Sequence, residues 1–264
     1  MRSSRRIEPP KINRFLLTLF HGYVDWYLRR NFHTVRVAGL SYARMATDRP
    51  LLVVLNHPSW WDPLIALELS SYLMPDWNHY GPIDSEALEK YGFFRKLGFF
   101  GVEPGTAAGA AAFLRNGEAI LSHPKNALWV TAQGHFADAR IRPVNLRAGT
   151  GHLLRRLKNV NVLPVAIEYQ FWEERFAEVL VRFGEPIAVD DGSLKTADEW
   201  TASVSARLES TQGKLAEISI ARDREAFRIL TTGRSWIGVY DLWRTVMAAL
   251  RGERFHGAHG SERF

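Results

Sequence analysis

Five consecutive apolar residues, Leu51-Leu52-Val53-Val54-Leu55, run straight into Asn56-His57-Pro58-Ser59-Trp60-Trp61-Asp62-Pro63, and an apolar helical pattern follows. A short unbroken apolar run rich in branched side chains is what a strand buried on both faces requires, and such strands belong to parallel sheets covered by helices. The turn also carries chemistry. Histidine is the usual general base near neutral pH, and a nearby carboxylate orients the ring and stabilises its charged form. If the chain doubles back before the helix begins, His57 and Asp62 meet. If it does not, Asp62 is simply the N-cap of a helix with Pro63 at its first position.

The rest of the chain alternates in the same way. Strands are expected at Thr34 to Ala38, Phe99 to Val102, Ala127 to Thr131, Val162 to Tyr169 and Val179 to Phe183. Helices are expected at Asp62 to Leu73, at Asp84 to Leu97 with Asp84 or Ser85 as cap, at Ala107 to Ser122 and at Leu146 to Lys158. This predicts an α/β fold: a mixed, largely parallel sheet flanked by helices. After Pro186 the pattern becomes helical, over Thr196 to Arg222 and again over Ser235 to Leu250. The expected organisation is an amphipathic N-terminal helix (1–32), an α/β core (33–190) and a helical C-terminal extension (191–264).

The string Asn-His-x-Ser-x-x-Asp-Pro after a strand resembles the first block of the PlsC-type glycerolipid acyltransferases, which include the lysophosphatidic acid acyltransferases. Gly98-Phe99-Phe100-Gly101-Val102-Glu103 lies where that family has its second block. Trp129-Val130-Thr131-Ala132-Gln133-Gly134-His135 lies at the third, and Val162-Leu163-Pro164-Val165-Ala166-Ile167 is similar to the late strand. The resemblance spans roughly residues 33 to 190. It implies transfer of a fatty acyl group from acyl-CoA or acyl carrier protein, both substrates and not cofactors, to a lipid hydroxyl. His57 is then the base and Asp62 its orienting carboxylate. Asn56, Ser59, Gln133, Gly134, His135 and Arg140 are candidate substrate-binding residues, and no metal is implied. Ser59 is expected to hydrogen-bond within the turn, and oxyanion donors are expected near Gly134 or after His57.

The departures from the family pattern are chemical. Its second-block arginine falls on Pro104, its third-block glutamate on Gln133 and its third-block arginine on Phe136. Neither proline nor phenylalanine can offer the planar fork of donors with which arginine holds a phosphate. Arg95, Lys96, Arg140 and Arg142 lie near enough in sequence to substitute; otherwise the acceptor is a hydroxylated or glycosylated lipid with no phosphate at that position. A lipid-binding or scaffold protein that keeps the fold without catalysis is the competing reading.

Composition narrows the field further. There are no cysteines, which excludes disulfides and thiolate chemistry. The net charge of +6 and pI near 9.7 favour an anionic partner. The basic residues are scattered and no nucleic-acid-binding motif occurs, so an anionic membrane surface is the expected partner. His57, Asp62, His79 and His135 form no compact metal-ligand set in sequence. No apolar run is long enough to span a bilayer, and Met1 to Arg6, interrupted by Pro9-Pro10, lacks a secretory apolar region. Lys11 to Arg30 instead reads as an amphipathic helix with a stripe of Ile12, Phe15, Leu16, Leu19, Tyr23, Trp26 and Tyr27. That stripe suits either the membrane interface or packing on the protein's own core. A peripheral position on the cytoplasmic face of the cell membrane is the expectation that follows.

Overall fold

The computed structural model describes residues 8–233. The basic start, Met1 to Arg6, and the helix expected over Ser235 to Leu250 lie outside these residues. Nine strands form one sheet: β1 (Thr34–Ala38), β2 (Leu51–Leu55), β3 (Asn78–Asp84), β4 (Phe99–Val102), β5 (Asn126–Thr131), β6 (Lys158–Gln170), β7 (Glu178–Phe183), β8 (Ile187–Asp191) and β9 (Arg228–Thr232). Their order is β4-β3-β5-β2-β6-β7-β1-β9, with β8 sharing an edge of β6. Five of the eight pairings are parallel. The fold class is the one the alternation predicts.

β2 lies between β5 and β6, and all five of its residues are buried. Its side chains alternate between two cores, as the strand period demands. Leu51, Val53 and Leu55 face one layer containing α1 (Arg14–Asn31) and α3 (Asp62–Leu73). Leu52 and Val54 face the other, with residues of α5 (Ala107–Leu121), α6 (Gly149–Leu154) and α7 (Ala197–Ile220). Each such buried Leu or Val contributes on the order of 2 kcal/mol. The short helices α2 (Leu40–Met45) and α4 (Ser85–Lys90) complete the set.

Several expectations need correction. Leu146 to Lys158 is not one helix: only Gly149–Leu154 is helical, and Lys158 already opens β6. The helix expected over Asp84 to Leu97 stops at Lys90 and continues as a 3-10 turn, with Asp84 capping through the N–H of Glu86. Strand β3 was hidden by Gly81-Pro82; it pairs with β5 through its first half and with β4 through its second.

Residues 191–232 are no appended helical extension. Thr196 and Glu199 form a capping box that starts α7, and Trp200, Val204, Leu208 and Leu215 of that helix enter the core. β9 then closes the sheet against β1. A 24-residue helix with one apolar stripe cannot bury that stripe without the sheet beneath it, so α7 belongs to the core.

Candidate active site

β2 and β5 are parallel neighbours, so the loops after Leu55 and Thr131 leave the sheet side by side at its carboxyl edge. Ligands of open α/β sheets bind at that edge. Asn56, fully buried, extends the β2 ladder with its side chain. Its Nδ2 donates to the Ile167 carbonyl at 3.0 Å, and its Oδ1 accepts from the Ile167 N–H at 2.8 Å. The amide thus does the work of another strand residue while the backbone is free to turn.

His57 is gripped by the neighbouring loop. Its N–H donates to Gln133 Oε1 at 3.0 Å, and its carbonyl accepts from the Ala137 N–H at 2.9 Å. Trp61 precedes α3 and Pro63 occupies its first turn. Asp62 does not cap the helix; its carboxylate points back across the turn. Oδ2 meets His57 Nδ1 at 2.6 Å and accepts from the Ser59 N–H at 3.0 Å. Oδ1 accepts from the Tyr169 hydroxyl at 2.7 Å.

Three donors converge on a carboxylate that is 1% exposed, so it is held in one orientation. With the carboxylate at Nδ1, the neutral ring carries its proton there and its basic lone pair at Nε2. The His57 side chain is 17% exposed, enough to meet a ligand. Burial, with the Asp62 charge beside it, pushes the Tyr169 phenol well above its ordinary value, so it remains a donor at physiological pH.

The other expected residues divide. Gln133 is buried and spends its carbonyl oxygen on the His57 backbone, which makes it a strut of the turn. Ser59 contributes its N–H to Asp62, while its Oγ accepts a long bond from the Trp61 N–H at 3.4 Å. Gly134 adopts φ +68°, and its N–H is used by the Thr131 carbonyl, so it is not a free oxyanion donor. Among the described residues, the backbone N–H groups of Trp60, His135 and Phe136 are left without a hydrogen-bond acceptor. His135 is exposed, its Nδ1 3.0 Å from the Gln133 carbonyl. Arg140 is fully engaged by Asp138, Nε to Oδ1 at 2.9 Å and Nη2 to Oδ2 at 2.6 Å, and lies open to solvent. That pairing holds the Asp138 carboxyl far below the usual range. Arg142 is likewise spent, on the carbonyls of Ala139 and Ile141.

Two residues that the motifs did not single out, Tyr169 and Arg147, complete the site together with Phe136. Tyr169 sits at the end of β6, beyond the similar block, and only the fold brings it to Asp62. Phe136 lays its ring 4.4 Å from the His57 ring, centroid to centroid. Arg147 packs over Gly134, where a Cβ would push its flexible guanidinium arm aside; it is the φ that calls for glycine there.

An apolar cavity of about 320 Å³ reaches Asp62, its walls also including Leu55, Trp60 and Thr131. Leu97, Gly98, Trp129 and His79 also line it. The His79 pKa is lowered to about 4 by burial, and the ring is satisfied while neutral: Nδ1 accepts from Trp129 Nε1 at 3.1 Å and Nε2 meets the Met74 carbonyl at 2.9 Å. The His79 wall is therefore uncharged at neutral pH.

A patch of exposed rings flanks this cavity. α1 buries Leu17, Val24 and Leu28 but leaves Phe15, Leu19, Tyr23 and Trp26 half or more exposed. The expected stripe is thus chiefly the outward face, and a second apolar row holds the helix to the core. Ring contacts run from Tyr23 through Tyr27 and Trp61 to Trp60 at the cavity wall. Among the described residues no helix is long and apolar enough to cross a membrane, and no group of acidic or histidine side chains is arranged to hold a metal.

Neither protein-family models nor curated proteins gave a match to this chain.

Proposed function

We propose that the protein transfers a fatty acyl group from a thioester, acyl-CoA or acyl carrier protein, to the hydroxyl of a lipid acceptor. The observation that carries this reading is the apolar cavity whose wall includes Asp62, the buried carboxylate paired with His57. A charged or sugar substrate gains nothing from such walls, whereas a hydrocarbon chain gains the free energy of leaving water. The PlsC-like order of motifs supports the same chemistry.

In this reading the acyl chain fills the cavity and the thioester carbonyl stands at its mouth. His57 Nε2 removes the proton from the acceptor hydroxyl as that oxygen attacks. Asp62 stabilises the imidazolium, and Tyr169 and Ser59 keep the carboxylate aimed. The tetrahedral intermediate expels the thiolate, which takes the proton back from His57. No acyl-protein intermediate is needed. The leftover N–H groups of Trp60, His135 and Phe136 are the donors nearest to hand for the oxyanion. Phe136 gives the acceptor an aromatic wall in place of the family's arginine, and Arg147 supplies a cation beside Gly134.

The exposed aromatics of α1, with Arg29 and Arg30 in its last turn, suit a helix resting in the interface of an anionic membrane, from which both lipids arrive. The protein would then work as a peripheral enzyme on the cytoplasmic face.

The test incubates the protein and His57→Ala with labelled palmitoyl-CoA and palmitoyl carrier protein. Acceptors are lysophosphatidic acid, other lysophospholipids, hydroxylated lipids and glycolipids. Transfer that is lost in the variant while vesicle binding is retained supports the mechanism, and the accepted lipid identifies the acceptor class. Transfer undiminished in the variant rejects it. Vesicle binding without transfer to any acceptor favours the non-catalytic lipid-binding reading.

A further inference from the structure

A second concave site lies away from the His57 turn, between α7 and the segment joining β7 to β8. It is a cleft of about 530 Å³ whose walls bring together Arg182, Lys195, Arg207 and Lys214 against a single carboxylate, Glu185. The carboxylate is already committed to Arg207. Lys195 rests over the Trp200 ring and reaches Ser203 Oγ at 3.3 Å. Lys214 and Arg182 have no acidic partner among the described residues.

The placement of Arg182 is the telling part. It stands in an interior strand, flanked in register by Ala38 of β1 and Ala166 of β6. Small neighbours on both sides leave room for a long side chain to rise off the sheet beneath α7. Its Nε is buried with no hydrogen-bond partner. A guanidinium donor removed from water and left unsatisfied is costly, and a site that keeps one is incomplete without an acceptor. Glu168, an acid on the same face of the sheet whose buried Oε1 also lacks a hydrogen-bond partner, forms no ion pair with Arg182. The cleft is also held to shape. Gly184 lies so close to Thr211 of α7 that any Cβ there would collide with it. That contact fixes the spacing between Arg182 and the row of Ser203, Arg207, Ser210 and Lys214 along one face of the helix.

We propose that this cleft is a binding site for a phosphomonoester, its dianion held by Arg182 and Lys214 with Lys195 and the helix hydroxyls in support. Guanidinium forks and ammonium groups complement a doubly charged tetrahedral oxyanion, whereas a carboxylate offers half the charge. A cleft of this volume takes a small group, and it can come from a soluble phosphate ester or from a lipid headgroup.

The test titrates the full chain in chloride buffer with inorganic phosphate and with adenosine 3′,5′-bisphosphate by calorimetry. In parallel, phosphatidylcholine vesicles doped with phosphatidic acid are compared with vesicles doped to equal charge with phosphatidylglycerol, a phosphodiester. Arg182→Gln and Lys214→Gln are measured beside the native protein. Lys214 is exposed, so its variant keeps the fold even if the other does not. Saturable binding of the soluble esters, weakened about tenfold or more in the variants, supports the site and a soluble ligand. Preference for phosphatidic acid over phosphatidylglycerol, lost in the variants, supports it with a headgroup ligand. Absence of saturable binding to every probe, or binding unchanged in both variants, overturns the proposal.

Discussion

Asp62 is the residue on which the site's geometry converges. It is buried and bonded by His57, Ser59 and Tyr169. Asp62→Asn keeps the shape but offers an amide where two N–H and one O–H donors expect a carboxylate. If the proposed transfer operates, kcat/KM falls about a hundredfold or more, measured by thioester cleavage. Tyr169→Phe removes one bond to the charged group and leaves the pair in place. A loss of roughly ten- to a hundredfold in the same assay is expected. His79 makes a different kind of prediction. Its folded pKa, about 4, lies below the unfolded value, so the native state resists protonation. The stability this contributes is present above pH 6.5 and is lost as pH falls toward 4. Burial pushes Glu68 and Glu168 the opposite way, so the contribution must be read as a difference. Urea unfolding of native protein and His79→Gln across that window is expected to show the variant's acid limb flatter, by up to about 3 kcal/mol.

At the scale of elements, α1 serves two masters. Leu17, Val24 and Leu28 fasten it to the core, and Phe15, Leu19, Tyr23 and Trp26 face outward. The two rows are separable by mutation. Leu28→Ala is expected to lower stability by about 2–5 kcal/mol in chemical denaturation. Replacing Phe15, Tyr23 and Trp26 together with serine is expected to leave the unfolding midpoint nearly unchanged while abolishing co-sedimentation with anionic vesicles. Retained sedimentation would move the membrane contact elsewhere. The turn between β2 and α3 shows how an element boundary becomes a site. β2 ends in sequence at Leu55, but the Asn56 amide continues its ladder to Ile167. This lets the chain fold back within five residues and bring His57 to Asp62.

For the whole molecule, the sheet order decides what the site contains. β5, β2 and β6 lie side by side, so segments far apart in the chain, around residues 57, 133 and 169, meet at one edge. The cavity is lined from separate segments too, Asp62, His79 and Trp129 among them. If the cavity holds the acyl chain as proposed, Ala66→Leu narrows its wall and is expected to shift acyl preference toward shorter chains, read as relative kcat/KM across an acyl-CoA series.

Much of this was legible in the chain. The apolar run of β2, the alternation around it and the His57 to Asp62 spacing are local patterns, and local patterns are what side-chain period and capping express. The same reasoning missed β3, β8 and β9. Gly-Pro masks the first, and the others are short strands that owe their existence to the neighbours they pair with. It treated Gln133 and Arg140 as ligand residues, whereas one is a strut and the other is spent on Asp138. It passed over Tyr169, Arg147 and the partnerless Nε of Arg182. Sequence alone determined which segments are strands buried on both faces and which residue types could do acid-base work, because both follow from neighbours along the chain. Only the tertiary structure decided which donors reach Asp62, which row of α1 is buried and which cations share a cleft. Those are distances between residues of different elements, some of them a hundred or more positions apart, set by strand order and register, and no periodicity records them.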